Sequence, residues 1–379
     1  MDLMYANTYL GTYEKGVIKI DSMTIETEVY FGDMRVVKGK ELSEFIRDRI
    51  ISRDRRDVNK FLNSIGLNQY DEHEIALITR LVNPMDGFWL RKDFSETYDN
   101  FVKPKLVELF KYNKIGQVNT MSSGGQNIKY YSEYKGDFGV VKKRLTGLTY
   151  DTESEVAVYQ LSKLLKVDTC PVYRVDADHT FSTFLYNFWG ESIIHMRHAL
   201  KKRDPNKDTY TQVVEAFPNI KEDLIRMLIL DYVTAQDDRH MSNYALFAGE
   251  LYPLYDNGRS LFWENRLEDI HESLRDVKMF STSFGEIGSY YDILQDISKE
   301  GTRFSDLVNL NISYREIYDA YAKAGYNDRE RLTLITKWTS LCLVELRELD
   351  ALNNNVISNK ESSTLNIKKS NLFGKATED

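Results

Sequence analysis

The sequence predicts an α+β chain: a small β-rich lobe, a larger helical lobe after it, and an extra α/β module in front. Three observations predict this. Residues 120–186 read strand, strand, helix, strand, strand, which makes a small sheet with one packed helix. Residues 191–352 have mostly helical apolar spacing. The first hundred residues carry short β-type runs and helical spacing of their own. With 379 residues, 42% of them hydrophobic, the chain can form two or three packed units. The expected division is an amino-terminal accessory module at 1–104, a small lobe at 105–190, a helical lobe at 191–352 and a tail at 353–379.

In the module, "GVIKIDSMTIETEVYFGD" reads as short strands. "KELSEFIRDRIISRDRRDVNKFLNSIG" then sets Leu42, Phe45, Ile46, Ile50 and Phe61 near helical spacing. Its Arg47, Arg49, Arg53, Arg55 and Arg56 interleave with Asp48, Asp54 and Asp57, as on a solvated helix face with paired charges. "NPMDGFWLRKDF" reads as a turn with aromatic packing. In the small lobe, "NIKYYSEY", "FGVVKKRL", "CPVYRVD" and "TFSTFLYN" are β-like and "TESEVAVYQLSKLLKV" is helical. In the large lobe, "KEDLIRMLILDYVTAQ" is apolar nearly all round, as a buried helix is. "NISYREIYDAYAKAG" opens on a Ser313-x-x-Glu316 capping box and stops at Gly325. "NDRERLTLITKWTSLCLVELREL" is a further amphipathic helix. The tail is rich in Asn, Ser, Lys and Thr, has little to bury, and is expected to be disordered.

The formal net charge of -8 argues against a dedicated nucleic-acid binder. Cys170 and Cys342 cannot build a disulfide framework and fit a reducing compartment. The first residues lack the order of a signal peptide, and no apolar run approaches the roughly 20 residues of a membrane helix. The expectation is a cytoplasmic protein with no direct nucleic-acid or membrane contact.

The chemistry concentrates in "QDDRHMSNYALFAGELYPLYDNG", residues 236–258. Two short β-like runs flank Gly249. A type II′ turn centred on Gly249 and Glu250 sets Ala248 against Leu251, Phe247 against Tyr252, and Asn243 against Asp256. Opposed residues have Cβ atoms about 5 Å apart, so this amide and carboxylate can share one hard cation such as Mg²⁺. Asp238 lies in the loop leaving the buried helix, where it can orient or deprotonate a hydroxyl, and His240 braces that loop. This is a phosphoryl-transfer layout. The Asp-x4-Asn spacing alone is common. The buried helix, the hairpin and Asp256 in register are three further conditions.

An upstream half is expected too. Ser122, Ser123, Gly124, Gly125 and Gln126 form a small-residue turn whose backbone N–H groups can approach phosphates. Lys142 lies on the strand face shared with Phe138 and Val140, and Lys143 on the other, so Lys142 suits a nucleotide phosphate. Its anionic partner is Glu153 or Glu155, with Glu155 preferred. Thr152-x-x-Glu155 is also a capping box, which would occupy Glu155 differently. The adenine pocket is expected near "FLYNFWG". His195 and His198, three apart on an expected helix, lack the Cys or carboxylate cluster of a metal site.

"DDRHMSN" followed by "LYPLYDNG" resembles the HipA-like serine/threonine kinases, and is similar to the Asp-Arg-His-x-x-Asn loop of the phosphatidylinositol 3- and 4-kinases. "SSGGQ" and "SEVAVYQLSKLLKVDTCPVYRV" resemble the phosphate loop and the helix-and-strand segment of the HipA group. The resemblance covers about 120–259. It implies a two-lobed protein-kinase-like fold, ATP and Mg²⁺ as cofactors, and transfer of the γ-phosphate of ATP to a Ser or Thr hydroxyl. It implies Asp238 as the catalytic aspartate, Asn243 and Asp256 as the Mg²⁺ ligands, Lys142 as the ATP-phosphate lysine and Glu155 as its partner. It also implies a protein substrate, a toxin or regulator role, and self-phosphorylation at Ser122 or Ser123. The first hundred residues do not resemble the amino-terminal module of HipA toxins, so the resemblance does not extend to an antitoxin; residues 1–104 are left as a surface for a protein partner. Two other functions fit the same residues: a kinase of a lipid or small molecule, and a nucleotide-binding interaction module without turnover.

Overall fold

The computed structural model describes residues 1–111, 128–183, 192–200, 204–264, 266–282, 284 and 288–373. The amino-terminal module is built on an antiparallel sheet of β1 (Asp2–Tyr5), β2 (Thr8–Glu14), β3 (Val17–Ile20), β4 (Val36–Val37) and β5 (Phe88–Arg91), in the order β4-β3-β2-β1-β5. Helices α1 (Ile25–Phe31), α2 (Gly39–Arg47), α3 (Val58–Ser64) and α4 (Glu72–Thr79) lie in sequence between β3 and β5. Leu3, Ile18, Phe31, Phe45, Phe61 and Ile75 meet in the core of this module.

Sequence and structure differ here in four places. "IETEVYF" is α1 rather than strand, because Thr24 and Thr27 exchange side-chain-to-backbone bonds in a capping box. The helical spacing is split between α2 and α3: α2 ends at Arg47, α3 begins at Val58, and Ile50 and Ile51 are buried in the connection between them. Arg49 and Arg55 are not on a solvated face. Arg49 pairs with Asp86 at 2.5 Å, and its guanidinium carbon lies 3.7 Å from the centre of the Phe45 ring. Arg55 pairs with Asp57 at 2.6 Å and donates to the Lys129 carbonyl at 2.8 Å. Last, "NPMDGFWLRKDF" contains β5, which pairs with β1 in the register Leu3↔Leu90.

After α5 (Lys103–Lys111) comes a second antiparallel sheet, of β6 (Lys129–Tyr134), β7 (Asp137–Lys143), β8 (Val172–Arg174) and β9 (His179–Thr183), in the order β6-β7-β9-β8. Helix α6 (Asp151–Leu165) packs against β8 and β9. This is the strand, strand, helix, strand, strand lobe.

The large lobe opens with β10 (Ile193–His195) and α7 (Met196–Ala199), so His195 and His198 are not on one helix. It continues through α8 (Thr209–Ala216), α9 (Lys221–Val233), β11 (Ala245–Phe247), β12 (Glu250–Leu251), α10 (Leu267–Ser273), α11 (Tyr290–Lys299), α12 (Phe304–Leu307), α13 (Tyr314–Lys323) and α14 (Arg329–Phe373). The Ser313–Glu316 capping box is formed at the start of α13. Helix α9 is buried from Leu224 to Val233 except at Arg226, and Thr339 of α14 donates to the Val233 carbonyl at 2.9 Å. One apolar core includes Leu161 of α6, Leu228 of α9 and Trp338 of α14, so the two lobes are packed together. Helix α14 runs on to Phe373, through most of the stretch expected to be disordered; no Gly or Pro interrupts it. No described helix is long and apolar enough to cross a membrane.

The Arg49–Asp86 pair generates a prediction. Asp86→Ala leaves a guanidinium buried without its carboxylate, so unfolding free energy should fall by about 3–5 kcal/mol in a denaturant titration. A loss below about 1 kcal/mol would mean that the pair behaves like a surface contact.

Candidate functional site

Helix α9 ends at Val233 and delivers the loop from Asp237 to Asn243 into the cleft. One buried side chain ties that loop down. Arg239 bonds both carboxylate oxygens of Asp231 on α9, with its closest contacts at 3.0 Å. It also donates to the carbonyls of Asn243 at 2.9 Å and Tyr255 at 3.0 Å, and to Asn257 Oδ1 at 2.5 Å. The loop, the helix before it and the strand exit carrying Asp256 therefore meet at one guanidinium. Asn243 donates through Nδ2 to the Asp238 carbonyl at 2.6 Å. Asp238 keeps its carboxylate partly exposed, 3.5 Å from Arg259 and 3.7 Å from His240. His240 is largely exposed, and its Nδ1 accepts from the Ser242 N–H at 3.2 Å. It closes a local turn; Arg239 is the main brace.

The hairpin register is one residue off the expected one. Leu246 faces Leu251 and Phe247 faces Glu250, so the turn residues are Ala248 and Gly249. Both have positive φ, 51° and 84°, as a type I′ turn requires. Asn243 and Asp256 lie beyond this short pairing and are not cross-strand partners, yet both line the same cavity.

Asp256 sits in the left-handed region at φ 58°, which Asp tolerates better than most residues. Its carboxylate reaches Lys142 Nζ at 2.9 Å and Lys129 Nζ at 3.0 Å. Lys142 also bonds Glu155 Oε1. Lys142 is buried and Lys143 is exposed. The capping-box alternative for Glu155 is not realised: α6 starts at Asp151 with no side-chain cap, and Thr152 donates to Glu153 instead. Glu153 pairs with Arg144 at 2.5 Å. Burial works against the Lys142 charge, but the Asp256 and Glu155 carboxylates outweigh it and hold the ammonium above its ordinary pKa. Burial likewise opposes the Asp256 charge, and Lys129 and Lys142 override it, holding this carboxyl well below the usual range. Gly258 permits the close approach of this segment to α6, since a Cβ there would lie 3.3 Å from Glu155 Oε1.

These groups line a cavity of about 650 Å³. Lys129, Lys142, Asp238, Asn243 and Asp256 are on its wall, as are Arg53, Asp54 and Tyr70 of the amino-terminal module. Residues 122–126 and the "FLYNFWG" stretch lie outside the described residues. Among the described residues no group of three His, Cys, Asp or Glu side chains could hold a metal. An amide oxygen and one carboxylate are a fitting donor pair for Mg²⁺, which takes its other ligands from phosphates and water. Asn243 Oδ1 accepts no hydrogen bond among the described residues and so remains available. ATP with Mg²⁺ is thus compatible with the groups present.

No protein-family model matches the chain, and no curated protein matches it. Solved structures do. A chain of the Shewanella oneidensis complex of HipA, HipB and operator DNA is similar over 93% of this chain and 99% of that one, at 11% identity and a TM-score of 0.56. This protein has the HipA-like kinase fold. The Helicobacter pylori proinflammatory kinase CtkA is also similar, over 65% of this chain and 95% of that one, at 14% identity and a TM-score of 0.46. Coverage of 93% extends beyond the two lobes, so the likeness to the HipA fold takes in the amino-terminal module, which the sequence did not suggest.

Within this HipA-like fold, three contributors were missed in the sequence. Lys129 could have been found by centring the "YKGD" turn on Lys135 and Gly136, which sets Lys129 opposite Lys142. Arg239 had a signal too, since Asp231 in an otherwise apolar buried helix requires a cation. The cavity wall from the module had no local signal. His195 also lines the cavity, with Nδ1 2.9 Å from the Tyr255 hydroxyl. Burial first, then the nearby His198 and His240, push its pKa down to about 4 from the ordinary 6.5. Below pH 6.5 the unfolded chain gains a proton here that the folded chain refuses. Stability should therefore be lost as pH falls from 6.5 towards 4. Thermal melting of wild type and His195→Gln across that window checks this: the variant should lose less stability on acidification, and parallel profiles would contradict it.

Proposed function

We propose that the protein is an ATP- and Mg²⁺-dependent kinase that transfers the γ-phosphate of ATP to a Ser or Thr hydroxyl of a protein. The observation that carries this reading is the convergence on one cavity of Lys142 bonded to Glu155, Asp256 beside it, and Asp238 with Asn243 from the adjoining loop. Asp238 orients the acceptor hydroxyl and takes its proton. The hydroxyl oxygen attacks the γ-phosphorus, the bond to the bridging oxygen breaks, and ADP leaves. Lys142 and Lys129 bind phosphate oxygens, Glu155 holds Lys142 in place, and the resemblance assigns residues 122–126 to the phosphates as well. Asn243 and Asp256 would hold Mg²⁺, which would offset the charge of the phosphates. His240 shapes the loop.

The reading assigns residues 1–104 to an accessory module, 105–190 to the ATP lobe and 191–352 to the catalytic lobe, in a cytoplasmic setting. The S. oneidensis HipA chain stands in a complex with HipB and DNA. By that likeness a protein partner is proposed here, with residues 1–104 as its surface and a toxin or regulator role. The net charge of -8 favours a partner that brings any nucleic acid, rather than contact by this chain.

Purified protein with ATP labelled on the γ-phosphate and Mg²⁺ tests the reading. Wild type should label itself or a protein of a cell lysate. Asp238→Asn should lower transfer by about 10²-fold or more, and chelating Mg²⁺ should abolish it. Undiminished transfer by Asp238→Asn overturns the assignment. No label from wild type, with ATP binding intact, contradicts a protein acceptor and favours a small-molecule kinase or a binding module.

A further inference from the structure

The segment 192–199 lies between the amino-terminal module and the catalytic loop, and both hold it directly. On the loop side, Met196 N–H donates to the Tyr244 carbonyl at 3.1 Å and Arg197 N–H to the Met241 carbonyl at 3.1 Å. β10 pairs with β11 in the register His195↔Ala245, and the His195 imidazole meets the hydroxyl of Tyr255, the residue before Asp256. On the module side, Ile193 N–H donates to the Met85 carbonyl at 2.8 Å, and the Tyr5 and Ser192 hydroxyls are 2.8 Å apart. The strongest tie is Asp48, directly after α2. One carboxylate oxygen takes Arg197; the other lies 2.5 Å from His198 Nε2. Asp48 and His198 are largely buried, so water screens them little. Arg197 bridges the two sides: its backbone is bonded to the loop and its guanidinium to the module.

We infer that Asp48 is a positioning residue for the catalytic loop, acting through Arg197 and His198, so that docking of the amino-terminal module is a condition of efficient phosphate transfer. The activity part rests on the kinase reading; the mechanical coupling does not. The Asp48 carboxylate bonds Arg197 and His198, both outside its own module, so its loss should loosen the contact without unfolding the module. Loops held at productive geometry lose rate steeply when displaced. Arg239 still ties the Asn243 and Asp256 segments together in such a variant, so the affinity for ATP should hardly change. Anything that lifts the module from segment 192–199 would then slow transfer without touching the nucleotide.

The experiment uses the full chain as wild type, Asp48→Ala and Arg197→Ala. It combines amide hydrogen exchange with kcat and KM for ATP. Exchange in 193–199 and 241–247 should rise about tenfold or more in both variants, with β6 to β9 unchanged. The kcat should fall about 10- to 100-fold, with KM for ATP within about twofold of wild type. Unchanged exchange in 241–247 overturns the coupling, and unchanged kcat with raised exchange overturns the positioning role. A variant of Asp48 that loses cooperative melting overturns the view that the contact is separable from folding, and Arg197→Ala then decides the coupling. If wild type transfers no phosphate, the kinase reading fails and exchange alone judges the coupling.

Discussion

The buried ion pair of Arg239 and Asp231 is the constraint from which the site follows. Neither charge tolerates burial alone, so the pair forms together, and the guanidinium's remaining donors must find acceptors. Those acceptors are the carbonyls of Asn243 and Tyr255 and the side chain of Asn257. Satisfying one cation therefore sets the loop that carries Asp238 and Asn243 against the segment that carries Asp256. The rigid, five-donor fork makes this possible; a lysine ammonium could not serve that many directions at once.

The charges at the cavity wall are arranged on that frame. Asp256 accepts a left-handed backbone to point its carboxylate at two lysines from adjacent strands. Carboxylates of Glu155 and Asp256 keep Lys142 charged where burial would discharge it. The frame reaches into the amino-terminal module as well, because segment 192–199 is bonded on one face to the loop and on the other to Asp48 and Met85. The module is thereby part of the same construction as the cleft.

Much of this was legible in the sequence, because local rules governed it. Period and burial marked α9, and alternation along "FGVVKKRL" put Lys142 inward and Lys143 outward. The Lys142–Glu155 pair followed from an inward charge needing a partner. Other parts turned on choices the sequence leaves open. The turn at Ala248 and Gly249 requires positive φ from an alanine, which residue preference argues against. "IETEVYF" has β-type residues and folds as α1 because Thr24 and Thr27 cap it. The arginines after Phe45 read as solvated until aromatic rings and Asp86 enclose Arg49. The cavity wall formed by the module depends on a docking between units, and no local pattern encodes that.

The central claim is that the Arg239–Asp231 pair is there for the site rather than for stability. Replacing both at once, Arg239→Met with Asp231→Leu, removes both buried charges and keeps apolar volume. Calorimetric titration of this variant with ATP and Mg²⁺, alongside its thermal melting, is the most direct test. Cooperative melting should stay close to that of wild type, with affinity for Mg²⁺–ATP reduced about tenfold or more. Wild-type affinity in a folded double variant would contradict it, since the loop and Asp256 would then hold their places without the guanidinium.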